Sequence, residues 1–269
     1  MDTYSTNNFS SRYSHGSSLP SAVKVMMFIN VIIFIVLQIS EKLNFPFLGI
    51  FGLVPKFVTN NFMLWQIVTY MFLHAGLWHL VINMLMLWMF GANIERMWGK
   101  GEFLIFYFFT GIGAGLCSII TSWSSMIPIV GVSGVVFGLL VAYAVMFPDN
   151  IILFFFIIPM KIKHAVWILI GINLLGALSN EAGIAYMAHL GGGLFGYIYL
   201  KNTKLRQLLM LLDPTKMADK YKRKKADLKI EKQENFELEV DRILEKISRH
   251  GIHSLTKKEK IILDKRSKK

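Results

Sequence analysis

Polar side chains with catalytic potential occur inside otherwise apolar stretches of this sequence. Ser133 lies in Gly131-Val132-Ser133-Gly134, directly before an apolar run, and His189 precedes a group of glycines in another apolar segment. A serine hydroxyl beside an imidazole base is the minimum needed for nucleophilic acyl transfer. A G-x-S-G pattern alone more often marks a turn or tight helix packing. The motif therefore indicates a nucleophile only together with other polar residues that could act with the serine.

A third apolar segment contains His74, His79 and Asn83. His79 and Asn83 are four residues apart and share one helix face, whereas His74 is rotated off that face. Together with the free N–H of Ser133 at a helix start, they could donate to the negative oxygen of a tetrahedral intermediate. The alternative is that His79 and Asn83 only hold spans together by interhelical hydrogen bonds.

His189 is the predicted general base, which takes the serine proton and returns it to the leaving amine. No carboxylate falls within a predicted span, and Glu181 lies in a loop, so the sequence predicts a Ser-His dyad without an acid. Two small-xxx-small faces, Gly134 with Gly138 and Gly192 with Gly196, could let two helices approach closely and bring the serine to the histidine. Under the plainer interpretation, the same glycines only pack helices.

The composition is that of a multi-pass membrane protein. Of 269 residues, 54% are hydrophobic and the mean hydropathy is +0.48, which is too apolar for a soluble domain of this size. Cys117 is the single cysteine, so no internal disulfide can form, and neither a metal nor a cofactor is expected.

The predicted fold class is all-α, with six spans at 22–40, 67–91, 103–123, 130–147, 164–179 and 183–201. Only nine charged residues occur between residues 43 and 200, and all are expected in connections.

Charge sets the expected orientation. Residues 201–269 carry 21 of the 29 Lys and Arg, and with six spans they fall on the same side as Lys24, Arg96, Lys100, Lys161 and Lys163. That side is cytoplasmic by the positive-inside rule, so both termini are cytoplasmic and Ser133 and His189 lie near the outer ends of their spans. Between spans, 43–65 is a long apolar loop expected partly in the outer leaflet. The run 150–160 is expected to form an interfacial hairpin or strand-like loop on the cytoplasmic side.

The ends of the chain are predicted to be soluble segments. Residues 1–20 are predicted to be a disordered tail, and 202–233 a basic juxtamembrane linker. Its Lys216 to Lys229 cluster is predicted to face anionic lipid rather than nucleic acid, and the alternative is that these charges only serve solubility and orientation. Residues 234–269 are predicted to form a cytoplasmic helical hairpin. Gly251 is its expected stop, and Thr256 with Glu259 form a capping box for the second helix.

These motifs resemble the rhomboid intramembrane serine proteases. The matching stretches are H-A-G-L-W-H-L-V-I-N (74–83), E-R-M-W-G (95–99), G-V-S-G (131–134) and A-H-L-G-G-G-L-F-G (188–196). Their order and spacing agree with the family across about residues 20–201. The resemblance implies a membrane protease domain over 21–201 with Ser133 as nucleophile and His189 as base. It also implies oxyanion or supporting roles for Asn83, His79, Gly131 and His74, and structural roles for Glu95 and Arg96.

Two departures from the family accompany the resemblance. Phe137 stands where some rhomboids have a Tyr under the histidine, and the Trp-Arg pair of some first loops is absent. Residues 235–267 also look like a helical tail found on some bacterial rhomboids.

The predicted function is an endopeptidase that cuts single-span or multi-span membrane proteins near the outer face, in the bacterial inner membrane. Small residues at the cut site are what the resemblance implies. One alternative is a catalytically weak relative that binds membrane clients. Another is a transporter, which would favour charged residues within the spans. The oligomeric state is not predicted.

Overall fold

The computed structural model describes residues 19–154, 157–178 and 183–267. The predicted N-terminal tail therefore lies outside the described residues except at its last two positions. The chain divides into two compact units, Met1–Asp213 and Pro214–Lys269. Each unit is considered by itself below.

The first unit is helical apart from one small hairpin. Its α-helices are α1 (Ser21–Lys42), α2 (Phe47–Phe51), α3 (Pro55–Asn61), α4 (Gln66–Thr69), α5 (Leu77–Met86), α6 (Ala92–Trp98), α7 (Lys100–Thr121), α8 (Ser133–Met146), α9 (Ile162–Ala177), α10 (Gly183–Lys201) and α11 (Thr203–Leu209). A π-helical segment, Leu87–Gly91, joins α5 to α6, and 3-10 turns occupy Tyr70–Phe72 and Met210–Leu212. Strands β1 (Ile151–Phe154) and β2 (Ile158–Lys161) form the hairpin.

Helix α8 lies at the centre of this unit. Every residue from 134 to 142 is buried, as is Ala144. Helices α7, α9 and α10 contact it, and the π-helical segment packs against it as well. A helix that is apolar on all sides can be buried in lipid or among other helices, and here the surrounding helices bury it.

Three described helical segments are long and apolar enough to cross a membrane: Ser21–Ser40, Leu77–Trp98 and Lys100–Thr121. Helices α8 and α9 are also apolar but have only 14 and 16 residues. The predicted spans coincide with α1, α7, α8, α9 and α10 to within three residues at each end. The count of six spans remains a prediction, because these lengths alone support three.

The predicted second span, 67–91, was wrong in its bounds. The helical structure that begins at Gln66 ends with the 3-10 turn at Phe72, and Leu73 and Gly76 are extended. The long helical segment then runs from Leu77 to Trp98. The reason is a tertiary hydrogen bond. The Tyr70 carbonyl, which a continuous helix would use for its own next turn, accepts the N–H of Gly131 at 2.9 Å.

The expectation that every charge between residues 43 and 200 lies in a connection was also wrong. Glu95 and Arg96 are in α6, Lys100 and Glu102 are in the first turn of α7, and Lys163 is in α9. Glu95 is only 5% exposed, and its charge is tolerated there because both carboxylate oxygens have hydrogen-bond partners. Its two carboxylate oxygens accept the N–H groups of Ala22 and Val23, each at 2.8 Å, at the positive end of α1.

The stretch between α8 and α9 forms the strand-like hairpin that the sequence predicts. Ile151 pairs with Lys161 and Phe154 with Ile158 in antiparallel register. At its base, Lys163 and Lys161 donate hydrogen bonds to Asp149 and lower the pKa of this carboxyl group to about 2. The fold is therefore helical with one two-stranded sheet.

The long apolar connection 43–65 contains α2 and α3 and is organised by Gln66. This side chain is fully buried, accepts the N–H of Val54 at 3.0 Å and donates to the carbonyl of Gly49 at 2.8 Å. The adjacent Leu53 forms an isolated β-bridge with Ile129, just before the Gly131 motif. Gln66 thus holds the first loop together, and the bridge between Leu53 and Ile129 links that loop to the segment before Ser133.

Part of the predicted linker belongs to the membrane unit. In α11, Arg206 pairs with Glu102 of α7, with Nε 2.6 Å from Oε1, and its guanidinium lies over the rings of Trp98 and Tyr199. The carboxylate of Asp213 occupies the space where a β-carbon on Gly101 would lie. Residues 203–213 are therefore folded against the ends of α7 and α10.

The second unit is a helical hairpin whose first helix is longer than predicted. Helix α12 (Pro214–His250) has 37 residues and passes through residue 233 without a break, so the predicted linker 202–233 is mostly helical. The sequence of α12 is rich in Lys and Glu, which are good helix formers. Its apolar residues recur at helix spacing only in its later part, where Val240 and Ile243 are buried.

The end of the hairpin matches its prediction. Gly251 ends α12 with φ 79°, and α13 (Lys257–Ser267) follows a 3-10 turn at Ile252–Ser254. The capping box is formed, because Thr256 N donates to Glu259 at 2.7 Å and Glu259 N donates to Thr256 at 3.3 Å. A hydrogen bond from Lys246 is the main reason why the pKa of Glu259 falls to about 2.

Candidate active site

The structure brings Ser133 and His189 into direct contact. Ser133 Oγ lies 2.7 Å from His189 Nε2, although the residues are 56 positions apart. Ser133 is the first residue of α8, so its N–H is one of the donors that the helix leaves without an internal partner. Both side chains are partly buried. A hydroxyl at this distance from an imidazole nitrogen can transfer its proton directly.

Close packing of α8 on α10 produces this contact. A β-carbon on Gly192 would lie 1.9 Å from the carbonyl oxygen of Gly134, and one on Gly196 would lie 2.8 Å from that of Gly138. The two small-residue faces therefore meet, as the sequence indicates. Because backbone touches backbone here, the serine at the start of α8 and the histidine one turn before Gly192 are held at hydrogen-bond distance.

Aromatic rings define the orientation of the imidazole. Phe137, one turn into α8, is nearly parallel to His189, with centroids 6.0 Å apart and an interplanar angle of 8°. Tyr186 meets the histidine edge-on at 6.4 Å. Stacking at Phe137 is thus retained without the hydroxyl that a Tyr would supply. Gly193 leaves space for the Phe137 ring, since a β-carbon there would lie 2.9 Å from it.

A third side chain, which the sequence reasoning missed, lies behind the histidine. Asn173 Oδ1 of α9 is 2.8 Å from His189 Nδ1. A carboxylate was the orienting group expected from the sequence, and no carboxylate falls within a predicted span. An isolated polar residue at the middle of the apolar segment 164–179 was the signal that could have identified this amide.

His79 and Gly131 lie beside the serine. Gly131 has φ 123°, and a β-carbon on it would lie 2.9 Å from His79 Nε2 and 3.6 Å from Ser133 Oγ. A side chain at residue 131 would therefore be strained and would fill the space between the imidazole and the serine. The hydrogen bond from Gly131 N to the Tyr70 carbonyl keeps this turn in place.

Asn83 and His74 support this side of the site. Asn83 is 4% exposed and uses one N–H of its amide to reach the carbonyl of His79 at 2.9 Å, which leaves the second N–H for another acceptor. His74 precedes α5 rather than lying on it, and it is completely buried. The centroids of the His74 and His79 rings are 5.1 Å apart, so His74 contacts the same imidazole despite its predicted rotation away.

The comparisons with known proteins identify a family. A family model described as the Rhomboid domain matches residues 61–203, more than half of the chain, including every site residue described above. The chain belongs to the rhomboid family. Rhomboids are a family of intramembrane proteases that act on membrane-protein substrates, so the chain is a membrane protein of that family.

Named relatives include proteases. Rhomboid protein 1, mitochondrial, from Saccharomyces cerevisiae is 31% identical over 183 residues, covering 66% of this chain and 51% of that protein. Rhomboid protease GluP from Bacillus subtilis is 30% identical over 177 residues, covering 65% of this chain and 34% of GluP. The rhomboid described here therefore spans about half or less of their length.

The tail matches a separate family. A model described as a family of unknown function (DUF6576) covers residues 219–269, which lie within the second compact unit. The rhomboid model ends at residue 203 and does not include this unit.

Proposed function

We propose that this rhomboid is an active intramembrane serine endopeptidase with Ser133 as nucleophile and His189 as general base. The observation that carries the proposal is the 2.7 Å contact between Ser133 Oγ and His189 Nε2. It pairs the two groups that acyl transfer requires, at the start of a helix whose free N–H groups favour negative charge.

The reaction follows from this geometry. Ser133 Oγ attacks the carbonyl carbon of the scissile peptide while His189 Nε2 takes the hydroxyl proton. Collapse of the tetrahedral intermediate breaks the C–N bond, and the imidazolium gives its proton to the departing amine. Water then attacks the acyl-enzyme ester with His189 again as base, which releases the new carboxyl terminus and restores Ser133.

The oxyanion of the intermediate is proposed to bind between α5 and the start of α8. The donors are the Ser133 N–H, the imidazole of His79 and the second amide N–H of Asn83. Support comes from the position of His79 beside Gly131 and Ser133, and the His74 ring meets the His79 ring edge-on. Gly131 keeps the pocket open because it has no side chain.

The substrate class is proposed to be single-span or multi-span membrane proteins, cut near the outer face. The proposed topology has six spans and cytoplasmic termini, which places the basic tail and the lysines of the β-hairpin on one side. Helix α8 supports this depth, because its 14 residues span about 21 Å, less than the about 30 Å of a hydrocarbon core. Ser133 can then lie below the surface in a cavity lined by protein. The Lys216 to Lys229 cluster is proposed to contact anionic lipid.

Labelling of Ser133 tests the proposal. The purified full-length protein in detergent should react with a fluorophosphonate, and Ser133→Ala should abolish the reaction. Ser124→Ala is the matched control, since Ser124 is an exposed serine in the loop before α8. The same proteins are then incubated with a panel of single-span substrates, and the fragments are mapped by mass spectrometry.

Labelling and cleavage that both depend on Ser133, with cuts near the outer end of the substrate span, would support the endopeptidase. Equal labelling of the wild-type and Ser133→Ala proteins would remove Ser133 as nucleophile. A folded wild-type protein that neither labels nor cleaves, yet retains panel members on purification, would favour the client-binding alternative.

A further inference from the structure

Asn173 occupies the position from which the imidazole of His189 can be oriented. It lies in the middle of α9, is 5% exposed, and its Oδ1 is 2.8 Å from His189 Nδ1. The opposite nitrogen of the same ring contacts Ser133. The three side chains therefore form one chain of hydrogen bonds across α9, α10 and α8.

A backbone hydrogen bond determines which way the amide of Asn173 points. Its Nδ2 donates to the Leu169 carbonyl at 2.8 Å, one turn earlier in α9. A carbonyl oxygen only accepts, so the NH₂ group has to face Leu169 and the amide oxygen has to face the histidine. The reverse orientation would place two oxygens against each other and leave the NH₂ group pointing at the ring.

The amide orientation in turn determines the tautomer of His189. Because an amide oxygen only accepts, Nδ1 of the imidazole has to carry the hydrogen in this contact. Nε2 then presents its lone pair, and this is the atom that faces Ser133 Oγ. A base with the hydrogen on Nε2 could not take the serine proton. The contact with Asn173 therefore selects the reactive form.

We propose that Asn173 is the positioning residue of His189, so that this rhomboid uses a Ser133–His189–Asn173 triad in place of a simple pair. The inference rests on the proposed function, because it assigns a role at the same site. Asn173 touches neither substrate nor the reacting atoms, and it acts by holding the tautomer and the ring plane. A neutral amide performs this role without placing a carboxylate among apolar helices, which is costly in lipid.

Helix packing supports the rigidity that such a role needs. A β-carbon on Gly176, one turn after Asn173, would lie 2.5 Å from the Tyr186 ring, so α9 and α10 are in close contact at this level. Tyr186 in turn meets His189 edge-on. The competing role for Asn173 is interhelical adhesion alone, which would affect stability and leave the chemistry unchanged.

Kinetics of the full-length protein in detergent separate the two roles. Asn173→Leu removes the acceptor with little change in volume, and Asn173→Asp restores an acceptor at the same place. The matched control is Asn93→Leu, since Asn93 makes the same bond to a carbonyl one turn earlier, at 2.7 Å to Met89, on another helix. For each protein, we would measure kcat and KM on a single-span substrate and the rate of Ser133 phosphonylation.

A positioning role predicts a loss in the chemical step. Asn173→Leu should lower kcat and the phosphonylation rate by about 10- to 100-fold with KM nearly unchanged, because a misoriented base weakens only the transition state. Asn173→Asp should recover most of this loss, and Asn93→Leu should resemble the wild type. A folded Asn173→Leu protein with wild-type rates, or a folded Asn173→Asp protein as slow as Asn173→Leu, would overturn the proposal.

The tautomer gives a readout that is independent of activity. Nitrogen NMR of histidine-labelled wild-type protein should show the hydrogen of His189 on Nδ1, and finding it on Nε2 would overturn the proposal even if Asn173→Leu failed to fold. The proposed function fails separately, when wild-type Ser133 does not react with the fluorophosphonate.

Discussion

Substitution of Gly192 by Ala should separate Ser133 from His189 without touching either of them. A β-carbon at residue 192 would lie 1.9 Å from the carbonyl oxygen of Gly134 and 2.6 Å from its carbonyl carbon. Both atoms belong to the backbone of α8, so no side-chain rotation can relieve the clash. The helices α8 and α10 have to move apart.

The size of the movement follows from ordinary contact distances. To bring the new carbon to about 3.4 Å from that oxygen, the helices have to separate by about 1.5 Å at this level. Ser133 precedes Gly134, and His189 lies one turn before Gly192, so most of the shift reaches the 2.7 Å contact. At about 4 Å, the hydrogen bond is lost. We expect turnover to fall at least 10²-fold, with a stability loss of about 1–3 kcal/mol from overpacking.

The assay compares cleavage of a single-span substrate and fluorophosphonate labelling of Ser133, at matched concentrations of folded protein in detergent. Gly171→Ala is the matched control, since a β-carbon at residue 171 in α9 meets no atom within 4 Å. Alanine favours a helix over glycine, so this variant should be as active as the wild type and no less stable.

Wild-type turnover for a folded Gly192→Ala protein would refute the reasoning, because it would mean that the spacing of α8 and α10 does not set the distance between Ser133 and His189. An equal loss in Gly171→Ala would instead indicate a general sensitivity to glycine replacement.

A substitution and a pair of truncations test the contacts at the ends of the helices. Glu95→Gln should lower the free energy of unfolding by about 2–4 kcal/mol, because a charged acceptor for the N–H groups of Ala22 and Val23 is lost. The control Arg96→Gln, on the exposed side of the helix, should be nearly neutral. Thermal unfolding in detergent measures both variants, and equal effects would contradict the capping role of Glu95. Truncation after Asp213 should leave the rate of cleavage of a model substrate nearly unchanged, since no site residue lies beyond it, and a large loss of rate in the folded protein would show that the tail acts on the site. Truncation after Lys201 also removes Arg206, the partner of the mostly buried Glu102, and should lower the free energy of unfolding by about 3–5 kcal/mol.

Residue types and local spacing were sufficient to predict Ser133, His189 and the helices that carry them. Apolar runs of span length show where helices form, because an unpaired backbone is costly in lipid, and glycines four residues apart show which faces can approach closely. The capping box at Thr256 and the stop at Gly251 are equally local and match the structure.

Features that depend on a partner distant in the chain required the tertiary structure. The helix break before Leu77 follows from a hydrogen bond between Gly131 and Tyr70, and Glu95 lies inside a helix only because α1 begins against it. The contact of Asn173 with His189 depends on how α9 is rotated and aligned against α10. The pattern of residues within one segment does not specify the placement of two helices relative to each other. Sequence spacing determines what a helix presents on each face, whereas close packing of several helices decides which faces meet.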